Sequence, residues 1–399
     1  MERDRPSIVW PEMGEIVQAA SSFIPLLQRN ALKTEEGRRV PSDVMDQLGK
    51  AGLLKVSRPA RFNGYEYGPS ALLRLGFELG QGCGSTAWCA SIANCNSWFL
   101  SYWPLQAQHD VWGADESALV AGTVIPTGKC EAVEGGYRIW GRWPFASNCE
   151  NSRWYFVSAF LPDNQGPGWF LAPASDFEID QTSWRVSGLQ GTGSKTVYAD
   201  SPVFVPAHRV IRFDDIAAGA SPGAAIDDSL APRFIFSTFG ACALVGPLLG
   251  MAQGALNWFV EEMITKQRGA LRQGASASAA QNPFVQERAG AASAEIDAGF
   301  TFVVSEIERL EAIVQAGNLL SMQQRIAARR AIGFAAKQAV AAVDILMAGA
   351  GASSADVDVP IQRHWRDIHA AARHISLDTK SISMLVGQTL FGLPPAGPH

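Results

Sequence analysis

A chain of 399 residues, of which 47% are hydrophobic and 18% charged, is long enough for two or three domains and apolar enough to bury surface between subunits. Its formal net charge of -5 gives no electrostatic reason to bind nucleic acid. The charged residues at its start are not followed by the apolar segment of a secretory signal, and the most apolar run, residues 239–252, is too short to span a membrane. We therefore expect a cytoplasmic protein with no nucleic-acid or membrane partner.

The cysteines and histidines do not have the spacing of metal ligands. His364, His369 and His374 recur every five residues, which places successive rings about 140° apart around a helix, so they cannot share one ion. We predict no metal site. The six cysteines form no C-x-x-C pair and are expected to be reduced thiols, buried as small hydrophobic residues: Cys83, Cys89, Cys95, Cys130, Cys149 and Cys242.

The first part of the chain has the apolar spacing of helices. Apolar positions recur helically over residues 15–29. Further helix starts, each ahead of an apolar pattern, occur at Pro41, Pro69, Ser85 and Pro104. These patterns predict an N-terminal helical domain over residues 1–118.

Residues 121–211 have the character of β-structure. Short runs such as residues 154–160 and 169–172 are rich in aromatic and β-branched side chains. Residues 163–168 separate these runs with the Asn, Gly and Pro that turns use. We predict a middle β domain, a barrel or a sandwich, over residues 119–220.

Long helical patterns fill the last part of the chain. Their similar lengths and short connections predict an antiparallel four-helix bundle, which we assign to residues 221–399. The predicted helices are residues 234–266, 283–316, 321–348 and 360–391. A helical domain, a β domain and a bundle together make an α+β multidomain protein.

This order of domains resembles the acyl-CoA dehydrogenase fold. Five stretches are similar to the flavin-domain signatures of one branch of that family: residues 122–128 (GTVIPTG), 135–141 (GGYRIWG), 143–148 (WPFASN), 188–194 (GLQGTGS) and 203–210 (VFVPAHRV). That branch comprises the oxygenase components of two-component flavin-dependent monooxygenases, typified by p-hydroxyphenylacetate 3-hydroxylase, the steroid-degrading phenol hydroxylase and dibenzothiophene monooxygenase. The resemblance covers nearly the whole chain, and it rests on the order and spacing of the motifs.

The resemblance implies an enzyme that uses reduced flavin, FMNH2 or FADH2, as a diffusible cosubstrate with O2. Such enzymes form a C4a-hydroperoxyflavin and hydroxylate an aromatic substrate, which is phenolic, indolic or fused-ring. No nicotinamide site is predicted, because residues 349–351 end a helix instead of opening one after a strand. Residues 188–196 also fail as a phosphate-binding loop, since Lys195 is one place too far from Gly188. Reduced flavin must therefore come from a separate NAD(P)H:flavin reductase, and we expect a homotetramer.

The resemblance also assigns residues that contact flavin. It places the Ser147 hydroxyl beside flavin N5 with Trp143 against the ring, although a serine there can also cap its own turn. Trp88 matches a flavin-side tryptophan. Arg268 matches an arginine that binds the flavin phosphate, often of a neighbouring subunit, with a solvated surface arginine as the alternative. Further flavin contacts are expected from hydroxyls and amides at Thr123, Thr192 and Ser194.

Two residues are candidates on the substrate side. His374 matches a histidine in the last helix of the family, where an imidazole can act as base or hydrogen-bond acceptor for a phenol oxygen. A helical histidine satisfied by a neighbour is the alternative. Asn96 stands where relatives have a second histidine, and it can only hydrogen-bond, which puts a plain phenol in doubt and leaves room for indole-like, fused-ring or heteroatom substrates. An ordinary buried polar residue is the alternative for Asn96.

The glutamate base of a thioester dehydrogenase is missing. That enzyme needs a carboxylate to take the α-proton of its substrate. No Glu follows Glu311, and residues 229–260 contain no acidic residue. Three alternatives to aromatic hydroxylation remain: oxygen insertion at nitrogen or sulfur, a desaturase with an unconventional base, and a catalytically silent flavin-fold protein that acts as an interaction partner.

Overall fold

Six helices form the N-terminal part of the computed structural model, which describes residues 11–226, 234, 236–268 and 277–395. α5 is buried along its length except at Ile92, so it is the central helix of this part. The predicted helix over residues 15–29 is interrupted at Phe23, because Pro25 has no N–H with which to continue it. The helices are α1 (Met13–Ser22), α2 (Ile24–Glu36), α3 (Ser42–Lys50), α4 (Pro69–Gly82), α5 (Gly84–Phe99) and α6 (Leu105–Trp112).

Two four-stranded sheets follow α6. The first has the order β1 (Val120–Gly122), β4 (Trp154–Phe160), β5 (Pro167–Pro173) and β8 (Val210–Arg212), in which β1 and β4 pair in parallel. The second, which is antiparallel, has the order β2 (Lys129–Val133), β3 (Gly136–Ala146), β7 (Lys195–Pro206) and β6 (Glu178–Asp180). Both sheets contribute to one core, which includes Ile139, Trp143, Val157, Phe170 and Val197, so the β domain is a sandwich.

Long helices make up the remainder of the described chain. The elements are α7 (Phe213–Ala217), α8 (Phe236–Thr265), a ribbon of β9 (Gln267–Arg268) and β10 (Ala277–Ser278), α9 (Pro283–Gln315) and α10 (Met322–Ala350). Two segments, Thr238–Thr265 and Met322–Ala350, are long and apolar enough to cross a membrane by length and composition alone. In the first, 89% of the most apolar window is buried inside the protein. Its apolar surface therefore belongs to the core of the bundle.

α4 and α8 cross at glycines that allow their backbones to approach closely. A Cβ atom on Gly76 would lie 2.5 Å from Pro247 Cδ, and one on Gly80 would lie 2.9 Å from Gly250 Cα. Any larger side chain would push the two helices apart. The N-terminal helices and the bundle accordingly share one hydrophobic core.

The last predicted helix, residues 360–391, is broken into two. α11 (Pro360–Ala371) ends before a turn, and α12 (Thr379–Leu390) begins where the Asp378 side chain accepts a hydrogen bond from Lys380 N. His374 has an extended backbone conformation and lies in this turn, where its side chain caps the N–H of Ser376. The prediction that His374 is helical is therefore wrong.

The predicted α+β fold class is confirmed, since a helical part, a β sandwich and a set of long bundle helices follow one another. The predicted domain boundaries, after residues 118 and 220, fall between elements. α6 ends at Trp112 before the first boundary, and α7 ends at Ala217 before the second. The boundaries themselves stay a prediction.

Candidate functional site

Three hydroxyl groups form a hydrogen-bonded chain beyond the end of β3. Ser147 Oγ lies 2.7 Å from Ser194 Oγ, which lies 2.7 Å from Thr192 Oγ1. The Thr192 hydroxyl donates to the carbonyl oxygen of Leu189 at 2.8 Å. Each hydroxyl has a single proton, so Ser194 must donate to Thr192 and Ser147 must donate to Ser194. The half-buried Ser147 oxygen is left as an acceptor for any group beside it.

The loop that carries Thr192 and Ser194 is fixed by α11. Leu189 has a left-handed conformation with φ of 52°, and its N–H donates to Asp367 Oδ1 at 2.6 Å. The neighbouring glycine, Gly188, lies so close to α11 that a Cβ atom there would be 2.1 Å from a backbone oxygen of the helix. The Asp367 carboxyl group therefore positions the loop and, through it, the hydroxyl chain.

Asp367 belongs to a buried cluster of charged side chains. Arg363 Nε donates to Glu35 Oε2 at 2.8 Å, and Arg366 Nη1 donates to Glu35 Oε1. Burial raises the pKa of Asp367 to about 7, against the bond from Leu189 N–H, while Glu35 raises it further and the two arginines lower it. The carboxyl group is therefore partly protonated near neutral pH.

Thr123 follows β1 and has a buried hydroxyl that no described residue bonds. Its N–H donates to the carbonyl oxygen of Phe156 at 3.0 Å, so the backbone is held while Oγ1 stays available. A buried hydroxyl without a partner costs about 1–3 kcal/mol. A ligand that bonds Thr123 Oγ1 recovers that cost, which fits a polar cofactor at this position.

The predicted contact between Trp143 and a flavin ring is wrong. Trp143 is fully buried between the two sheets, and its indole N–H donates to Ser158 O at 2.8 Å. Phe145 is instead 61% exposed, with a φ of 65°. The pairing of β3 with β7 shifts register between Trp143 and Ala146, and such a shift changes which residues face outwards.

Phe145 is a candidate that the motif analysis missed. It lies two residues before Ser147, its ring contacts Trp184 edge to face with centroids 6.2 Å apart, and an exposed aromatic ring is the feature that a planar ligand needs. The available signal was the sequence WPFAS, which contains two aromatic residues, four and two positions before the serine. Without the register shift, the sequence gives no basis for choosing the second one.

His374 and Trp88 lie together, as the resemblance implies for a substrate and flavin region. Their ring centroids are 5.9 Å apart with an angle of 66° between the rings. The residue after Trp88 is Cys89, whose Sγ lies 3.6 Å from the carbonyl oxygen of Thr192. The first part of α5 therefore joins the hydroxyl chain to His374.

The imidazole of His374 presents a hydrogen-bond donor. Nδ1 accepts a hydrogen bond from Ser376 N at 3.2 Å, so the proton of the neutral ring is on Nε2. Desolvation by the surrounding protein and, second, the charge of Arg329 lower the pKa of His374 to about 4. The lowered pKa keeps the ring neutral at pH 7, although part of the side chain is exposed to solvent. In this conformation His374 is a donor, not the base that the sequence predicted.

Asn96 and Arg268 have no demonstrated contact with a ligand. Asn96 Nδ2 donates to the carbonyl oxygen of Val120 at 2.8 Å, a bond that ties α5 to β1. This bond provides the buried amide of Asn96 with a hydrogen-bond partner. A role of Asn96 in substrate binding stays a prediction. Arg268 lies in β9, but its side chain is outside the described residues, so its contact with a flavin phosphate also stays a prediction.

No cluster of metal-binding side chains occurs among the described residues. His364 lies against Gly254 of α8, while His369 Nε2 lies 3.0 Å from Asp344 Oδ1. Together with His374, which contacts Trp88, the three histidines therefore face different partners. The six cysteines are free thiols, all buried except the half-buried Cys130.

Comparison with known proteins identifies the family. The model for the C-terminal domain of acyl-CoA dehydrogenases matches residues 242–379. The FADH(2)-dependent resorcinol hydroxylase, oxygenase component, from Rhizobium sp. (strain MTP-10005) is 34% identical over 395 residues, which cover 96% of each chain. The chain belongs to the flavin-dependent monooxygenases.

Solved structures place the monooxygenase in the same branch. The 3-HSA hydroxylase from Rhodococcus sp. RHA1 superimposes with a TM-score of 0.89 at 30% identity, over 96% of this chain and 98% of the other. XiaF from Streptomyces sp., in complex with FADH2 and glycerol, superimposes with a TM-score of 0.88 at 26% identity, over 97% of each chain. The predicted family and its dependence on reduced flavin are confirmed, and the monooxygenase is an enzyme, not a silent flavin-fold protein.

Proposed function

We propose that this monooxygenase is the oxygenase component of a two-component system that hydroxylates an aromatic ring with diffusible reduced flavin and O2. The direction of the hydroxyl chain carries this proposal. Reduced flavin has an N–H at N5, whereas oxidised flavin has a lone pair there. Because the Ser147 hydroxyl donates its hydrogen bond to Ser194, its oxygen is left to accept one, which suits the N–H of the reduced form.

The reduced flavin, when bound, supplies the electrons that activate oxygen. Ser147 would hold the N5 proton by accepting its hydrogen bond, and the exposed ring of Phe145 would contact the flavin ring system. Thr123 uses its unpaired hydroxyl to bond the edge of the cofactor. Arg268 binds the phosphate, and the loop hydroxyls that complete the cofactor site are those of Thr192 and Ser194.

Trp88 and His374 form the substrate side of this site. His374 donates Nε2–H to an oxygen of the substrate and thereby orients the ring, while the face of Trp88 packs beside it. Asn96 contributes through its amide oxygen or its second N–H, because one N–H is already bonded to Val120 O. The similarity to a resorcinol hydroxylase supports a substrate with hydroxyl groups on an aromatic ring.

Two kinds of protein partner accompany this function. A separate NAD(P)H:flavin reductase supplies the reduced flavin in the cytoplasm, in keeping with the free thiols. Copies of the chain form a homotetramer through the bundle helices, which carry large apolar side chains exposed in a single chain. These side chains include Ile264, Phe284, Phe334, Met384 and Leu390.

Replacement of Ser147 by Ala tests the proposal. Single turnovers with FADH2 or FMNH2, O2 and resorcinol as probe substrate measure hydroxylated product and hydrogen peroxide per flavin oxidised. Loss of one hydrogen bond is expected to reduce product per flavin by up to about tenfold, with a matching rise in peroxide. Ser152→Ala removes a buried hydroxyl that bonds Asn148 O outside the chain, and it should leave the ratio unchanged. An unchanged ratio in Ser147→Ala would contradict the assignment.

A further inference from the structure

A cavity of about 190 Å³ lies between α2, the junction of α4 and α5, α8 and the first two turns of α11. Exposed side chains of α2 and α8, those of Gln28, Asn257 and Glu261, line its outer part. The described residues that line it include none of those assigned to the flavin or to the substrate. Because a water molecule takes up roughly 30 Å³, this separate cavity has room for a small organic ligand.

One face of α11 lines the inner part of the cavity. Pro360, Arg363, His364 and Asp367 follow the spacing i, i+3, i+4 and i+7 that places residues on one side of a helix. The last three are 9%, 8% and 4% exposed. α11 begins at Pro360 and has no side-chain cap, so the N–H groups of its first turn favour an anion nearby.

The three buried polar side chains of this face have atoms without a partner in the described structure. Neither ring nitrogen of His364 forms a hydrogen bond. Arg363 uses Nε to bond Glu35, and its other N–H groups bond nothing. Asp367 accepts from Leu189 N–H through Oδ1, while Oδ2 has no donor. Buried polar groups are left in this state where water or a ligand completes them.

Two arginines and one ionised carboxylate leave a positive charge at the inner part of the cavity. Glu35 accepts a hydrogen bond from Arg363 Nε at 2.8 Å and another from Arg366 Nη1. Desolvation raises the pKa of Glu35, but these hydrogen bonds outweigh it and lower the pKa, so Glu35 is ionised. Glu35 neutralises one of the two arginines and leaves the charge of the other to be balanced.

The remaining titratable groups do not fully balance this charge. Burial raises the pKa of Asp367 to about 7, so below that pH its carboxyl group is mostly neutral. Burial and, second, the charge of Arg363 lower the pKa of His364 to about 4, which keeps the ring neutral. Burial also raises the pKa of the Cys83 thiol, which is therefore protonated. Glu261 is exposed in the outer part, where solvent screens its charge.

We propose that this cavity binds a small organic carboxylate, with Arg363 as its cationic partner and the carboxyl group of Asp367 as a hydrogen-bond donor. The planar fork of a guanidinium matches the two oxygens of a carboxylate. The half-buried ring of Trp258, which also lines the cavity, offers a surface for the apolar part of the ligand. A doubly charged ion such as phosphate exceeds the single positive charge available.

Isothermal titration of the full-length protein with propionate tests this inference, with propionamide as the neutral probe of the same shape. At pH 6 one propionate is expected to bind per chain, and propionamide about tenfold more weakly or not at all. Arg363→Gln should weaken propionate binding by about tenfold or more, whereas Arg363→Lys keeps the charge and should retain part of the affinity. Arg373→Gln is the matched control, because Arg373 is exposed in the turn after α11, and it should stay within about twofold of the wild type.

The affinity for propionate should fall as pH rises, because Asp367 loses the proton that it donates above its pKa of about 7. We expect propionate to bind about tenfold more weakly at pH 8 than at pH 6. Asp367→Asn keeps an N–H donor at both pH values, so its affinity should not change between them. An affinity that rises with pH in the wild type would contradict the role of Asp367 as a donor.

Several outcomes would overturn the inference: no binding of propionate, equal binding by wild type and Arg363→Gln, or equal binding of propionate and propionamide. Tighter binding of inorganic phosphate would contradict the assignment to a carboxylate. Ala31→Leu fills part of the cavity from α2 without changing a charge, so it should abolish binding even if Arg363→Gln does not fold. His374→Ala should bind propionate as the wild type does, and a loss there would place the ligand on the substrate side instead. Since no flavin is present, failure here is distinct from failure of the Ser147 assay.

Discussion

The two sides of the site differ in how completely the protein satisfies its own polar groups. On the side of Ser147, each hydroxyl of the chain has a partner, and the chain ends at a backbone carbonyl oxygen of a loop that Asp367 anchors. On the side of His374, the imidazole accepts a hydrogen bond at Nδ1 from Ser376 N, while its Nε2–H has no hydrogen-bond partner in the described structure. The first set of hydroxyl groups is hydrogen-bonded within the protein, whereas the second leaves one donor available to a ligand.

The largest expected effect comes from replacing Asp367, which holds the loop on the side of Ser147. Asp367→Leu takes away the acceptor of the Leu189 N–H and a charge from the cluster with Glu35, Arg363 and Arg366. We expect the free energy of unfolding to fall by about 3 kcal/mol, as measured by chemical denaturation. At pH 4, where the Asp367 carboxyl group is mostly protonated, Asp367→Asn keeps an oxygen acceptor and should stay within about 1 kcal/mol of the wild type. Equal losses in both variants would show that the bond to the loop is unimportant.

The carboxyl group of Asp367 also makes the stability of the protein depend on pH in a predictable direction. The pKa of Asp367 is about 7 in the folded protein against an ordinary value of 3.8, so between these values the native state binds more protons than the unfolded chain. The contribution of Asp367 to stability must therefore decrease as pH rises from about 4 to about 7. Denaturation measured across this range should show that decrease in the wild type, and Asp367→Asn should remove it. A contribution that rises with pH would refute the raised pKa.

His364 is a buried histidine whose ionisation makes the stability of the protein depend on pH. Burial and, second, the charge of Arg363 lower the pKa of His364 to about 4 from 6.5. The unfolded chain binds more protons in this window, so stability is lost as pH falls from about 6.5 to about 4, by on the order of 2 kcal/mol. His364→Gln should flatten the acid limb of the stability profile. His369→Gln changes another histidine of α11, whose Nε2 lies 3.0 Å from Asp344 Oδ1, and serves as the control for the loss of an imidazole.

Replacement of Phe145 tests whether the side of the site that contains Ser147 binds the flavin ring. Phe145→Ala is expected to weaken binding of FMNH2 or FADH2 by about tenfold, because it removes an aromatic surface next to Ser147. The fold should be unaffected, since the side chain is 61% exposed. Phe160→Ala removes a ring that is 62% exposed on β4 and should bind flavin as the wild type does. Anaerobic titration measures both, and equal affinities would remove Phe145 from the site.

The smallest effect is expected at the far end of the hydroxyl chain. Thr192→Val removes the donor to Leu189 O and with it the constraint on the direction of the chain, but it leaves Ser147 in place. We expect product per flavin to fall by about threefold, less than for Ser147→Ala. Thr127→Val removes an exposed hydroxyl that bonds Arg142 O and should have no effect. A loss in Thr192→Val as large as that in Ser147→Ala would indicate that the loop, not the chain direction, matters.

The sequence predicted the parts of this account that depend on local pattern. Helix and strand periodicity gave the order of the three domains. The motifs gave Ser147, Thr192 and Ser194 as candidate flavin contacts, but not the hydrogen bonds that join the three hydroxyl groups. The choice of Trp143 over Phe145 failed because a β-bulge depends on pairing with β7, which the strand sequence alone does not encode. The helix break at His374 was missed, although Asp378 and Thr379 form a recognisable helix start.

The burial of Arg329 could not have been predicted from the sequence. It lies in a helix whose pattern, RIAARRAIG, places two adjacent arginines on what reads as a solvated face. Arg330 is exposed as that pattern implies, whereas Arg329 points into the protein. Which of two adjacent arginines is buried is decided by the packing of α10 against its neighbours, which is a tertiary property.

The central claim, that this protein transfers oxygen to an aromatic ring by means of reduced flavin, is tested most directly with isotopically labelled oxygen. The protein is mixed anaerobically with FADH2 or FMNH2 and a panel of phenols that includes resorcinol, then with oxygen-18 gas, and the products are analysed by mass spectrometry. We predict that one oxygen-18 atom enters the ring of a phenol for each flavin oxidised in a coupled turnover. Flavin oxidation that yields only hydrogen peroxide with every phenol, or an enzyme that instead oxidises an acyl-CoA without incorporating oxygen, would contradict the account.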